Sequence, residues 1–248
     1  MSIRAVIFDL GNTLVYFDGR WPLVLSQSER ELAQALQENG FSLDAELVER
    51  LFRQRMKDYR QSREDDLVEH STAAVFQGMM DDLGYPHVPE DVLRDVLARI
   101  YAVTQRHWIP EEDALPTIKA LRERGYLLGV VSNAGDDADV QTLVDKVGIR
   151  PYLDFIVSSA AFGFRKPDPR IFQFALDCWG VLPEEVAMVG DTLEADILGA
   201  NQAGLFSVWI TRRVELEAVQ AIRTRIQPDE EIDSLAALVD LLSDRGDK

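Results

Sequence analysis

The residues of this chain best suited to chemistry lie far apart in sequence and share one property: each closes, or closely follows, a short apolar run. Ile3-Arg4-Ala5-Val6-Ile7-Phe8 ends at Asp9, which a Gly11-Asn12 turn and then Thr13 follow. Tyr126 to Val131 ends at Ser132-Asn133, and Gly163-Phe164-Arg165-Lys166-Pro167-Asp168 comes shortly after Phe155-Ile156-Val157. Val186-Ala187-Met188-Val189 ends at Gly190-Asp191, with Asp196 five positions on. Short apolar runs bounded by turn signals read as buried strands. In an open α/β sheet, ligands bind beside the carboxyl ends of the strands. Two or three carboxylates, a hydroxyl and an ammonium therefore converge on one sheet edge, a combination useful to phosphate chemistry.

Each member also has an ordinary structural explanation. Asp9 could start a β-turn, Ser132 could cap a helix, and Lys166 could be a solvated surface lysine. Asp191 could cap the helix that follows it, with Asp196 in that helix's first turn, where the dipole favours an acid. The reading rests on the set, in this order and at strand ends, and not on any one residue.

The elements that must position these residues follow from periodicity. From about residue 20 to 108 the pattern is helical throughout. Ser28-Glu29-Arg30-Glu31 has the spacing of a capping box. Leu32, Leu36, Leu47, Leu51 and Met56 keep helical spacing, a third helix is expected over Asp66–Leu83, and a fourth from Glu90 to about His107. After Pro110 helices and apolar strands alternate up to a last helix over Leu235–Leu242, and the acidic tail from Ser243 is expected to fray. The pattern predicts an α/β fold: a Rossmann-like parallel sheet with helices on both faces, interrupted after its first strand by an all-helical insert. Residues 1–19 and 109–248 are expected to form the core domain and residues 20–108 the insert.

Composition narrows the partners. The chain has 248 residues, 46% hydrophobic and 28% charged, with a net charge of −17. So negative a field argues against nucleic acid or an anionic membrane as partner, and obliges any phosphate site to create its own positive potential locally. One cysteine, Cys178, permits no internal disulfide and suits a reducing compartment. No apolar run approaches the ~18 residues of a membrane span, and the amino terminus enters a strand without a cationic leader. A cytoplasmic protein, monomer or homodimer, is expected.

In order and spacing, Phe8-Asp9-Leu10-Gly11-Asn12-Thr13-Leu14, Val131-Ser132-Asn133, Arg165-Lys166-Pro167 and Gly190-Asp191 through Asp196 resemble the haloacid dehalogenase-like hydrolase superfamily, in its phosphatase branch with a helical cap after the first strand. The resemblance implies a Mg2+-dependent phosphatase for a small phosphorylated metabolite. Asp9 would be the nucleophile and form an aspartyl-phosphate. Asp9, Asp191 and the carbonyl of Gly11 would hold Mg2+, with Asp196 acting through metal-bound water. Lys166 would offset charge on Asp9 and the phosphoryl oxygens. Ser132, the amide of Asn133, and Thr13 would bind the phosphate group.

One position departs from the pattern. Most phosphatases of the superfamily carry a general acid/base Asp two residues after the nucleophile, where this chain has Gly11. Such a group is typically worth about 10²–10⁴-fold. Asp18 or His70 could substitute, while His87 and His107 have no evident partner. Two alternatives stay open: a non-catalytic or weakly active phosphate-binding protein, and a 2-haloacid dehalogenase, which would gain nothing from the carboxylate of Asp191. A phosphomutase would need the missing acid/base. The insert, as a lid, would select substrate, with Trp21, Arg60, Arg63 and His70 as lining residues. Cys178 and Trp179 read as packing residues.

Overall fold

The computed structural model describes residues 2–246. The chain opens with β1 (Ala5–Phe8) and a short β2 (Val15–Phe17). Four helices follow, α1 (Trp21–Glu38), α2 (Ala45–Asp66), α3 (Thr72–Asp82) and α4 (Glu90–Gln105), before the short β3 (Trp108–Pro110). Then come α5 (Ala114–Glu123), β4 (Leu127–Ser132), α6 (Asp137–Val147), β5 (Phe155–Ser158), α7 (Ser159–Phe162) and α8 (Pro169–Trp179). The rest is β6 (Val186–Gly190), α9 (Leu198–Ala203), β7 (Phe206–Ile210), α10 (Gln220–Arg223), β8 (Glu230–Ile232) and α11 (Leu235–Gly246).

Six strands form a parallel sheet in the order β5-β4-β1-β6-β7-β8. From β1 the chain builds outward through β4 and β5, then crosses back to lay β6, β7 and β8 on the other side. The order therefore reverses at β1, which makes its carboxyl end a topological switch point. Both faces of the sheet are covered. Ala5 and Ile7 pack against Ile171, Phe172, Ala175 and Leu176 of α8. Val6 and Phe8 point the other way and are equally buried. This two-sided burial is why the strands read as unbroken apolar runs.

By compactness the chain divides into Met1–Tyr16 with Pro110–Lys248, and Phe17–Ile109. The second unit has a core of its own, in which Leu32 and Leu36 of α1 meet Val48 and Phe52 of α2, Phe76, Met79 and Met80 of α3, and Val96 and Ile100 of α4.

Several local expectations are corrected. α1 begins at Trp21, with Pro22 in its first turn, a position where proline's fixed φ favours helix. Ser28 therefore lies inside the helix, buried, its hydroxyl donating to the Val24 carbonyl at 3.2 Å, and Glu29 is buried in an ion pair with Arg53. The helix expected over Asp66–Leu83 is present but shorter, Thr72–Asp82. α2 runs on to Asp66 and stops where Leu67 turns left-handed (φ 58°), and α3 starts only after Ser71, whose side chain caps it. β8 carries the acidic Glu230 and Glu231 and so lacks the apolar run that marks the other strands. α11 continues past Ser243 to Gly246, and the last two residues of that tail lie outside the described residues. Cys178 does not pack; it is exposed, because α8 turns Phe172 and Leu176 inward.

Candidate active site

Asp9 leaves β1 with its amide still bonded to the Val189 carbonyl of β6 at 2.9 Å. The loop beyond is tight: the Leu10 carbonyl accepts both the Leu14 and Val15 amides. Asn12 supplies its left-handed residue (φ 53°), a conformation asparagine tolerates better than most side chains.

Lys166 is the centre of the site. Its side chain is 1% exposed, and its ammonium donates to Asp9 Oδ1 at 2.6 Å and to the Val131 carbonyl at 2.7 Å. It also lies 2.7 Å from Asp196 Oδ1, a second buried ion pair. The backbone of Lys166 is fixed as firmly as its head. Asn133 Oδ1 accepts the Lys166 amide at 2.8 Å, and Asn133 Nδ2 donates to the Lys166 carbonyl at 2.9 Å. The next residue, Ala134, is held in turn by Ser159 Oγ, which accepts its amide at 2.9 Å.

Asp191 and Asp196 follow β6. Residues Leu193–Ile197 form one wide π-helical turn, a feature frequent at functional sites. It brings Asp196 Oδ2 back to accept the Thr192 amide at 2.9 Å. Gly190 permits this, since a Cβ there would overlap the Asp196 carboxylate. One oxygen each from Asp9, Asp191 and Asp196 lies within 4.8 Å of the others.

The electrostatics follow from crowding. Burial pushes the Asp9 carboxyl up to about 7, against the attraction of Lys166 and with the help of Asp196 and Asp191. Burial and then the Asp196 charge push Asp191 up to about 6. Burial alone would lower the Lys166 pKa, but Asp196 and Asp9 outweigh it and raise it, so the ammonium stays charged. Three carboxylates against one ammonium leave two uncompensated negative charges when all are ionised. Clustered carboxylate oxygens with that excess fit a hard divalent cation.

The structure thus gathers Asp9, Lys166, Asp191 and Asp196 at the switch point. Ser132, 6% exposed, ends the neighbouring β4, and Asn133 follows it. Thr13 is wholly enclosed, its hydroxyl buried without a hydrogen-bond partner. Asp18 and His70 belong to the other unit. Asp18 is exposed, its backbone bonded twice to His107. His70 is exposed and stands edge-on to the Tyr59 ring. Arg63 lies over the same ring, Arg60 is exposed, and Trp21 packs against Phe17. Sequence reasoning missed Asn12, whose side chain hydrogen-bonds to Asp191 and favours its charged form. In the sequence Asn12 reads only as a turn residue.

A family model for haloacid dehalogenase-like hydrolase matches residues 3–204, and the chain belongs to that family. It is 31% identical over 243 residues, 97% of each chain, to a Methanopyrus kandleri protein named glyceraldehyde 3-phosphate phosphatase. A ribulose-1,5-bisphosphate 5-phosphatase of Halopiger xanaduensis is 28% identical, over 96% of this chain and 99% of that one. Among solved structures, a 2-haloacid dehalogenase from Pseudomonas syringae pv. Tomato DC3000 superposes with a TM-score of 0.68 at 27% identity, covering 98% of this chain and 99% of the other.

Proposed function

We propose that this protein is a Mg2+-dependent phosphatase that hydrolyses a small phosphorylated metabolite through an aspartyl-phosphate on Asp9. The observation that carries the reading is the buried ammonium of Lys166, held between Asp9 and Asp196 with Asp191 in the same cluster. The phosphatase names of relatives aligned along nearly the whole chain support it.

Asp9 attacks phosphorus, the bond to the ester oxygen breaks, and the leaving oxygen takes up a proton from solvent. Water then attacks phosphorus, gives its proton to solvent, and releases inorganic phosphate with Asp9 restored as carboxylate. Lys166 keeps Asp9 oriented and offsets charge on the phosphoryl oxygens, while the hydroxyl of Ser132 and the amide of Asn133 donate to those oxygens. Asp9, Asp191 and the Gly11 carbonyl would hold Mg2+, with Asp196 beside them, and the ion would supply the positive charge that lets two anions meet. The inserted helices would act as the cap that selects the leaving group.

Gly11 favours a second reading, a phosphate-binding protein with little turnover, since no carboxylate occupies the acid/base position. A 2-haloacid dehalogenase is the weaker reading, because the carboxylate of Asp191 beside Asp9 opposes departure of a halide. Phosphate release with Mg2+ tests all three, on an aryl phosphate, sugar and alkyl phosphates, and a 2-haloacid control. Metal-dependent release that Asp9→Asn abolishes is expected. Turnover of the aryl ester alone would show that Gly11 has removed the acid. Phosphate binding without release would support the binding protein, and halide release would support the dehalogenase.

A further inference from the structure

Trp209 has no part in the chemistry above, yet it touches the site at its most sensitive point. It lies on β7, wholly buried, paired in register with Gly190, the last residue of β6. Its indole Nε1–H donates to the main-chain carbonyl of Asp191 at 2.7 Å. Asp191 is the first residue beyond β6, where the chain turns out of the sheet and its carbonyl no longer has the ladder to rely on. The same ring packs against Leu193 and Ile197, on either side of Asp196 in the π-helical turn. The Arg223 guanidinium stands 5.3 Å from the ring centroid.

A side chain chosen for packing alone would not need this geometry. An indole nitrogen only donates, and a buried donor left without an acceptor is destabilising. Trp209 meets that need by tying down the peptide that carries the Asp191 carboxylate, while its ring backs the turn that carries Asp196. Asn12 holds the Asp191 side chain, so the residue is fixed at both ends.

We propose that Trp209 is a positioning residue for the divalent cation: its indole hydrogen bond sets the main chain of Asp191 so that the carboxylate is pre-aimed at the ion. This rests on the metal-dependent reading of the site. Removing an outer partner of a metal ligand typically weakens metal affinity by about 10–100-fold, and Trp209→Phe, which keeps a ring but loses the donor, is expected to fall in that range.

The test combines Mg2+ calorimetry of the wild type and Trp209→Phe with NMR of the tryptophan indole N–H groups. The chain has four tryptophans, so their signals are assigned by replacing each in turn. The expected result is a weaker Mg2+ affinity in the variant, a Trp209 indole signal that moves as MgCl2 is added to the wild type, and an unchanged KM for an aryl phosphate at saturating Mg2+. A loss of packing alone would lower the melting temperature and leave Mg2+ affinity in place. Equal Mg2+ affinity in wild type and variant overturns the assignment to Trp209 alone. Should Trp209→Phe not fold, the other three replacements identify the Trp209 signal by elimination, and its failure to move at saturating Mg2+ overturns the proposal. A wild type that binds no Mg2+ overturns the metal reading and this assignment with it.

Discussion

Lys166 and Asp9 are 157 positions apart in the chain and 2.6 Å apart in space. An ammonium so enclosed is tolerable only because two carboxylates and a carbonyl surround it. Asn133 decides whether it stays there. Asn133→Asp keeps the acceptor for the Lys166 amide but loses the donor to its carbonyl and adds a charge. A stability loss of about 1–3 kcal/mol in denaturant unfolding is expected, together with reduced turnover. The carboxyls set a pH dependence. Asp9 and Asp191 rise from 3.8 to about 7 and about 6 in the folded protein without the ion. A raised acid pKa means that the folded state binds protons more tightly than the unfolded chain. The stability these groups contribute is full below the unfolded value and is lost as pH rises through 6 to 7. On the proposed metal reading Mg2+ would replace those protons, so the rise in melting temperature on adding Mg2+ should grow between about pH 5.5 and 7.5. A rise that is flat across that window would contradict the carboxylate site.

Two elements control how the site is held. The first is the turn after β6, where Gly190 leaves room for the Asp196 carboxylate. Gly190→Ala forces either the carboxylate or the strand to move. A cost of about 1–3 kcal/mol, typical of overpacking, and loss of activity are expected by thermal unfolding and phosphate release. The second is the segment after β7. Arg212 bonds to Glu111 and Asp113, both at 2.8 Å, and Arg213 bonds to Glu111 at 2.7 Å while its guanidinium stacks 3.8 Å from the Tyr16 ring. Tyr16 and Glu111 belong to the same unit as the two arginines, so the pair joins segments of that unit that lie far apart in the chain. The Glu111 side chain is 4% exposed and the arginines 24% and 37%. Glu111→Gln should therefore cost on the order of 2 kcal/mol, less than a fully enclosed pair would, because the guanidiniums keep part of their hydration.

At the scale of the whole molecule, each unit has its own apolar core. Mg2+ binding to the carboxylates should therefore slow amide hydrogen exchange around residues 9–14 and 190–198 and leave α1 to α4 unchanged. Protection that spread equally through both units would count against a metal site confined to the core. No helix among the described residues is long and apolar enough to cross a membrane. The net charge of −17 leaves local positive potential to single residues such as Lys166.

The alternation of helix and strand, the parallel sheet and its residues of chemical promise are legible in the sequence alone. Burial on both faces demands unbroken apolar runs, and the residue that ends such a run is conspicuous by its polarity. Asp9, Ser132 and Asp191 could be read for that reason, and so could the helical period of residues 20 to 108. Where a helix starts was less legible. Ser28 carries a capping pattern, yet Pro22 and the packing of Val24 set the start a full two turns earlier. Which polar groups meet is settled by tertiary packing. It brought Lys166 against Asp9 and Asp196, folded Asp196 over Gly190, enclosed Thr13, and aimed Asn12 and Trp209 at Asp191. Periodicity reports which face of an element is buried. The partner of a buried donor depends on strand order and register, which arise from contacts between residues distant in the chain.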